Sequence, residues 1–301
     1  MNAARVLVTG ATGLIGYELL LVIRSTFNDV HGVARHPGPG PNMHRADLAA
    51  PEQVAELLRR VRPSIIIHLA GGKDPDVTRL YTRNVLPTAN LLHAAARLKP
   101  QPAFIVAGSA AEYGEPAAGH ASEFDALYPI TDYGRAKLSG SALAEALAAN
   151  FGIRLCVVRP FNVVSPQLPQ ATALGNIRHQ LLAQQGRLRV IRCGRLDVVR
   201  DFVPLSFVAE VLHRLLSLDT WPARLNVCSG VGIELGSILR AMCSILDVEA
   251  EVVETLELTS LRAATRVVGD PTLLHGLGLR AEPTPETLAQ LMLSTGLHAT
   301  V

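Results

Sequence analysis

Thr9-Gly10-Ala11-Thr12-Gly13-Leu14-Ile15-Gly16 follows the apolar run Val6-Leu7-Val8 and leads into a second one, Leu19 to Ile23. A strand, a glycine turn and the start of a helix therefore follow one another without a gap. Three glycines at three-residue spacing let the backbone come close to a pyrophosphate and let the helix pack tightly on its strand. The free N–H groups and partial positive charge at the helix N-terminus favour anionic oxygens there. Glycine triplets are common in loops. It is the strand before and the helix after that make this one a dinucleotide-binding fingerprint, with Gly10, Thr12, Gly13, Leu14, Ile15 and Gly16 as the residues lining it.

Outward from this turn, apolar strand-like runs alternate with Ala/Leu-rich helical stretches. Strands are expected at 5–9, 30–34, 64–69, 103–108 and 153–158, and helices at 15–25, 51–60, 84–98 and 133–150. Repeated alternation of this kind builds a parallel sheet covered by helices on both faces. The fold class is thus α/β, a doubly wound parallel sheet of the Rossmann type with a smaller, interleaved C-terminal part. Pro37-Gly38-Pro39-Gly40-Pro41 is a loop after the second strand, since it can join neither helix nor ladder. After Arg159-Pro160 the pattern loosens, and a short strand is expected at Val227-Cys228. The division this suggests is 1–158 plus about 197–228 for the dinucleotide part. The substrate part would be about 159–196 plus 229–301.

Composition excludes several classes. With 49% hydrophobic and 18% charged residues the chain can bury a large core, which argues against disorder. A net charge of +2 with no basic stripe gives no footprint for nucleic acid. No apolar run approaches the length of a membrane span, and the first strand starts too early to leave room for a leader. Cys156, Cys193, Cys228 and Cys243 include no C-x-x-C pair and lie mostly in apolar runs, as buried thiols of a cytoplasmic protein would. The ten histidines show no ligand spacing, and no metal is expected.

Tyr133-Gly134-Arg135-Ala136-Lys137 is the second chemical signal. On a helix, positions i and i+4 share a face, so the Lys137 ammonium can sit near the Tyr133 phenol and favour its ionised form. Taken alone, such a pair is as compatible with a solvated helix surface. Gly108-Ser109-Ala110-Ala111-Glu112-Tyr113-Gly114 lies at the carboxyl end of the 103–108 strand, where ligands bind in open α/β sheets.

With these residues in order, the chain resembles the extended short-chain dehydrogenase/reductase family of nucleotide-sugar epimerases, dehydratases and reductases. Thr9–Gly16 looks like TGxxGxxG, Ala46-Asp47-Leu48 like the adenine-side D-L, and His68-Leu69-Ala70-Gly71 like H-x-A-A apart from its last glycine. Asn84 to Leu92 resembles N-V-x-G-T-x-N-L-L. Arg159-Pro160-Phe161-Asn162, Arg200-Asp201-Phe202-Val203 and Asn226 to Gly230 continue the series. The resemblance implies that Gly10, Gly13 and Gly16 line the pyrophosphate, that Asp47 and Leu48 face the adenine, and that Leu69, Ala70, Gly71 and Pro160 wall the cofactor site. It implies a catalytic set of Ser109, Tyr133 and Lys137: Tyr133 exchanges the proton, Ser109 hydrogen-bonds the same oxygen, and Lys137 also holds the nicotinamide ribose. Asn84 would be the helper asparagine fixing backbone or water near Lys137, with a plain helix N-cap as the other role open to it. The family also implies a homodimer through the helices that contain Asn84 to Leu98 and Tyr133 to Asn150.

At the end of the second strand, where NAD-preferring members have an acidic residue, this chain has Ala34 and then Arg35. An arginine without the carboxylate suits a 2'-phosphate, hence NADP(H). A solvated loop arginine is the other possibility, and His36 stands beside it. The dehydratases' acid/base pair after the serine or threonine is replaced by Ala110 and Ala111, and Glu112 comes one place too late. Glu112 then either belongs to the substrate site or is a solvated or helix-start carboxylate. Simple ketoreduction remains, or a 4-epimerase that oxidises and re-reduces one carbon with tightly held NAD. A non-catalytic dinucleotide sensor of the same fold is the remote alternative. Phe161 to Gln167, Cys193 to Phe202 and Asn226 to Gly232 are similar to GDP-4-keto-6-deoxy-mannose reductases, the members that form GDP-rhamnose. On that basis Ser109, Ala110, Glu112 and Asn162 would meet the nucleotide sugar; Arg200 and Arg262 are the candidates for its diphosphate, since forked guanidinium groups match phosphate oxygens, with a plain surface position as the other role open to Arg262.

Overall fold

The computed structural model describes residues 2–116, 119–255 and 264–294. Through the first part of the chain the elements are β1 (Asn2–Thr9), α1 (Leu14–Ile23), β2 (Phe27–Ala34), β3 (Met43–Arg45), α2 (Pro51–Val61), β4 (Ile65–His68), α3 (Val77–Asn84), α4 (Leu86–Ala95), β5 (Ala103–Ala107), α5 (Asp132–Phe151) and β6 (Leu155–Pro160). There follow β7 (Asn162–Val164), α6 (Ala173–Ala183), β8 (Leu188–Cys193), β9 (Val199–Pro204), α7 (Leu205–Leu216) and β10 (Arg224–Val227). The chain continues through β11 (Gly232–Glu234), α8 (Leu235–Leu246), β12 (Glu249–Glu254), β13 (Arg266–Val267), α9 (Thr272–Gly276) and α10 (Pro285–Leu293).

Seven parallel strands form the main sheet in the order β10-β6-β5-β4-β1-β2-β3. The unbroken apolar runs are explained by strand periodicity, because successive side chains leave opposite faces and both faces are covered. Val6 and Val8 of β1, Ile65 and Ile67 of β4 and Ile105 of β5 join one core beneath α1 and α7. Leu7, Ile66, Phe104 and Val106 join the other, against α2, α4 and α5. The order of the strands reverses between β1 and β4, and their carboxyl ends open the crevice where such sheets bind ligands.

The sequence places a single helix over 84–98; the structure has two. Asn84 ends α3, and α4 starts after Val85 with Pro87 in its first turn. Proline has no N–H to give and is tolerated in a first turn but not in a helix interior, so the break falls there. β3 is too short to leave a periodic signal. The division of the chain is also more interleaved than the expected one. β9 lies not in the main sheet but in a second one with β7, β11 and β13, while Leu274 and Leu279, around α9, return to the core beneath α1 and α7. A third core unites α6, α8 and α10 through residues such as Ile177, Ile238 and Met292. All four cysteines are free and buried. Among the described residues no helix is long and apolar enough to cross a membrane, and no group of metal-ligating side chains is assembled.

Candidate active site

The glycine turn is built for close approach. Gly10 has φ +65°, and a Cβ on it would lie 2.9 Å from the Ala70 nitrogen at the end of β4. A Cβ on Gly16 would lie 2.2 Å from the Gly10 carbonyl oxygen, which no real side chain permits. Gly13 is the N-cap of α1 and brings no side chain to its first turn, so the leading N–H groups have no side-chain partner. Thr12 is exposed and Leu14 and Ile15 half-buried at this helix end. A cradle that a single Cβ would fill, facing an uncapped helix N-terminus, fits a dinucleotide pyrophosphate.

The facing wall is set by a short relay. Thr9 Oγ1 accepts from the amides of Leu69 and Ala70, both at 3.1 Å. The same oxygen lies 2.8 Å from His68 Nδ1, and His68 Nε2 lies 3.1 Å from Thr88 Oγ1. With both lone pairs of Thr9 occupied, its hydrogen goes to Nδ1, which assigns the neutral tautomer with its proton on Nε2. Burial, reinforced by the Lys137 charge, brings His68 from its ordinary 6.5 down to about 3.

Asn84 is buried and is not a helix cap. Its Oδ1 accepts from the Gly72 amide at 3.1 Å, and its Nδ2 donates to the carbonyls of Gly72 and Leu80, each at 2.8 Å. It thereby fixes the loop that follows Gly71. The next residue on that loop, Lys73, places its ammonium 5.6 Å from the centre of the Tyr133 ring. Arg79 and Arg83 hold the neighbouring Asp74, each at 3.1 Å. No motif in the sequence points to Lys73; only the returning loop brings it to the phenol.

Tyr133 and Lys137 lie one turn apart on α5, whose first turn is capped by Thr131 accepting from the Gly134 amide. Gly134 lets the helix reach the turn that follows Ser109, since a Cβ there would be 2.3 Å from the Ala111 carbonyl oxygen. The Lys137 ammonium donates to the Ala107 carbonyl at the end of β5. Burial lowers its pKa, and the Glu112 charge opposes that shift. Burial raises the Tyr133 pKa, the hydrogen bond with the Ser109 hydroxyl opposes this, and Glu112 adds to it. Lys137 is not among the groups that move the Tyr133 pKa in this structure.

Ser109 caps a 3-10 turn, Ala110–Glu112, and its hydroxyl accepts from the Ala111 amide at 3.2 Å. It is a turn residue and a neighbour of the Tyr133 phenol at once. Glu112 is a helix-start carboxylate, paired with Ser109 in a capping box, but it is neither solvated nor turned to a substrate. Its side chain is fully buried and forms an ion pair with the equally buried Arg159 at 2.9 Å. The reason is long-range: β6 brings Arg159 beneath the turn, and a buried carboxylate needs such a partner.

The remaining residues separate into two groups. Arg35 and His36 are exposed just past β2, with no hydrogen bond or ion pair among the described residues. Asp47 is exposed and accepts from the Ala49 amide, whereas Leu48 is buried with its carbonyl held by Asn90. Pro160 ends β6 opposite Val227. Ala110 is buried near Phe161 and Cys228. Asn162 donates to the Asp201 carbonyl at 2.9 Å. Arg200 is not held out as a free fork: its guanidinium donates to the carbonyls of Val199, Ala264 and Thr265 at 2.8, 2.7 and 3.3 Å. Arg262 lies outside the described residues.

The sequence family described as the NAD dependent epimerase/dehydratase family matches residues 6–228. The chain is 29% identical over 282 residues, 90% of each chain, to GDP-6-deoxy-D-mannose reductase of Pseudomonas aeruginosa. It is 26% identical over 285 residues, 91% of each, to GDP-6-deoxy-D-talose 4-dehydrogenase of Aggregatibacter actinomycetemcomitans. Among solved structures, RMD from Pseudomonas aeruginosa complexed with NADPH superposes with a TM-score of 0.79 at 27% identity, covering 97% of this chain and 98% of that one. Because the match runs from β1 past the end of β10, and so takes in the glycine turn, the Ser109 turn and α5 together, the chain belongs to the NAD dependent epimerase/dehydratase family.

Proposed function

We propose that this protein is an NADPH-dependent nucleotide-sugar 4-ketoreductase acting on a 4-keto-6-deoxyhexose, of the kind that converts GDP-4-keto-6-deoxy-mannose to GDP-rhamnose. One observation carries the choice of reaction. Ser109 and Tyr133 meet at the cleft, alanines follow Ser109, and the nearby carboxylate of Glu112 is locked away on Arg159. A site with a single proton donor and no second acid/base pair reduces a carbonyl but has no means of expelling water from the neighbouring carbons. The similarity to a GDP-linked deoxyhexose reductase supports the substrate class.

A bound nicotinamide dinucleotide supplies hydride to the carbonyl carbon. As negative charge develops on the carbonyl oxygen, Tyr133 donates its phenolic proton to it, and the Ser109 hydroxyl hydrogen-bonds the same oxygen. Lys137, anchored on the Ala107 carbonyl, offers its remaining hydrogens to the ribose. Arg35 takes the 2'-phosphate, the α1 N-terminus the pyrophosphate, and Asp47 and Leu48 border the adenine. Ala110, Asn162 and the unused donors of Arg200 border the sugar nucleotide, with Arg262 as a further phosphate contact. The family's homodimer, through α4 and α5, belongs to the same proposal.

The test is turnover of GDP- and dTDP-4-keto-6-deoxyhexoses with NADPH. One reduced cofactor should be consumed per sugar, and GDP-mannose alone should be left unchanged. Interconversion of a UDP-hexose with no added cofactor would instead establish the 4-epimerase.

A further inference from the structure

The Glu112 carboxylate receives three donors at the same distance. The Ser109 amide and the Ser141 hydroxyl meet Oε1 at 2.9 Å, and Arg159 Nε meets Oε2 at 2.9 Å. Arg159 continues to the Tyr113 hydroxyl at 3.2 Å, and that hydroxyl donates to Asn226 Oδ1 at 2.8 Å. The turn behind Ser109 is thus tied to α5, β6 and β10 through buried side chains.

Ser109 and Glu112 form a reciprocal capping box, the serine hydroxyl accepting inside the turn while the glutamate holds the serine's own N–H. Such boxes ordinarily sit at the surface. Here the glutamate and its ion-pair partner are buried, Glu112 and Arg159 at 0% and 1% exposure, while Ser109 is half-buried. A buried ion pair gains little stability over apolar residues of similar volume, because desolvation offsets the attraction. What this pair does provide is a fixed point: it holds the Ser109 amide, on the turn that packs against the start of α5 where Tyr133 lies, a Cβ on Gly134 being only 2.3 Å from the Ala111 carbonyl oxygen.

We propose that Glu112 is a positioning residue of the reduction, which holds the Ser109 hydroxyl in register with Tyr133 by gripping the Ser109 amide from the protein interior. This rests on the ketoreductase reading for its rate effect but not for its geometry. A displacement of about 1 Å in a positioned group costs on the order of a hundredfold in rate. Loss of the anchor acts through Ser109, not independently of it.

The experiment is a double-mutant cycle between Ser109→Ala and the paired replacement Glu112→Met with Arg159→Met, which removes both buried charges and the acceptor together. The paired replacement should lower kcat by about tenfold to a hundredfold with the NADPH Kd unchanged. Adding Ser109→Ala should then cost nothing beyond Ser109→Ala alone. Should the paired replacement fail to fold, Glu112→Gln enters the same cycle. Amide hydrogen exchange reads the anchor without substrate: the Ser109 and Ala111 amides should exchange faster in the variants. Multiplicative rate losses, full activity of the variants, or unchanged exchange would each overturn the proposal. A parent protein that reduces no keto-sugar would refute the ketoreductase assignment instead, and the exchange measurement would still decide the anchor.

Discussion

Protonation of His68 should unfasten the wall that Thr9 holds opposite the glycine turn, and the size of the effect follows from the relay around it. The neutral ring accepts from Thr9 and donates to Thr88; a proton on Nδ1 would face an oxygen whose lone pairs are already used by the Leu69 and Ala70 amides. The native ring therefore resists protonation down to about 3, whereas in the unfolded chain it takes a proton near 6.5. Between those values the unfolded state binds more protons than the native one, so stability is complete above the upper value and is lost as pH falls through the window. Each pH unit there removes about 1.4 kcal/mol, or about 2 kcal/mol between roughly pH 6 and pH 4.5. Urea unfolding of the parent and of His68→Asn, followed from about pH 7 to about pH 4.5, isolates the term, since carboxylates common to both cancel in the difference. The variant should be less stable near neutrality, and the gap should narrow steadily in acid. Parallel stability curves for the two proteins would refute the assignment of a buried neutral His68.

Three further outcomes are expected. Ala34→Asp with Arg35→Ser should turn a preference for NADPH into one for NADH, with Arg35 alone accounting for about tenfold to a hundredfold in affinity; equal use of both cofactors by the parent in steady-state assays would remove Arg35 from the phosphate role. Tyr133→Phe should reduce the rate by about a hundredfold to ten-thousandfold with little change in the NADPH Kd, because only the proton donor is lost; full activity would rule Tyr133 out. Gly16→Ala puts a carbon where only 2.2 Å separates it from the Gly10 oxygen, so cofactor titration followed by fluorescence should show a sharp loss of affinity, and parental affinity would contradict the close-approach argument.

Much of the molecule is legible in its sequence where the physics is local. Val6-Leu7-Val8 and Ile65-Ile66-Ile67 read as two-sided strands, because a sheet covered on both faces needs every position apolar. The glycine turn and the Tyr133–Lys137 spacing are equally local, being a matter of one turn of backbone and one turn of helix. What escapes is what forms over distance. Glu112 meets Arg159 from 47 positions away, and nothing in the run from Ser109 to Gly114 reveals that its carboxylate is buried. Arg200 has the composition of a phosphate ligand, yet the segment at Ala264 and Thr265 supplies carbonyls that occupy its fork. Lys73 carries no motif at all and reaches Tyr133 only because Asn84 folds the loop back. β3, with three residues, is too brief for a period to show.

The most direct test of the reduction is the fate of the hydrogen itself. NADPH carrying deuterium at the transferable C4 position, mixed with a GDP-4-keto-6-deoxyhexose and this protein, should give a 6-deoxyhexose with one deuterium at sugar C4 and an equal amount of NADP. Mass spectrometry and proton NMR of the product read both. A product without deuterium at C4, or a sugar nucleotide epimerised with no net loss of NADPH, would contradict the account.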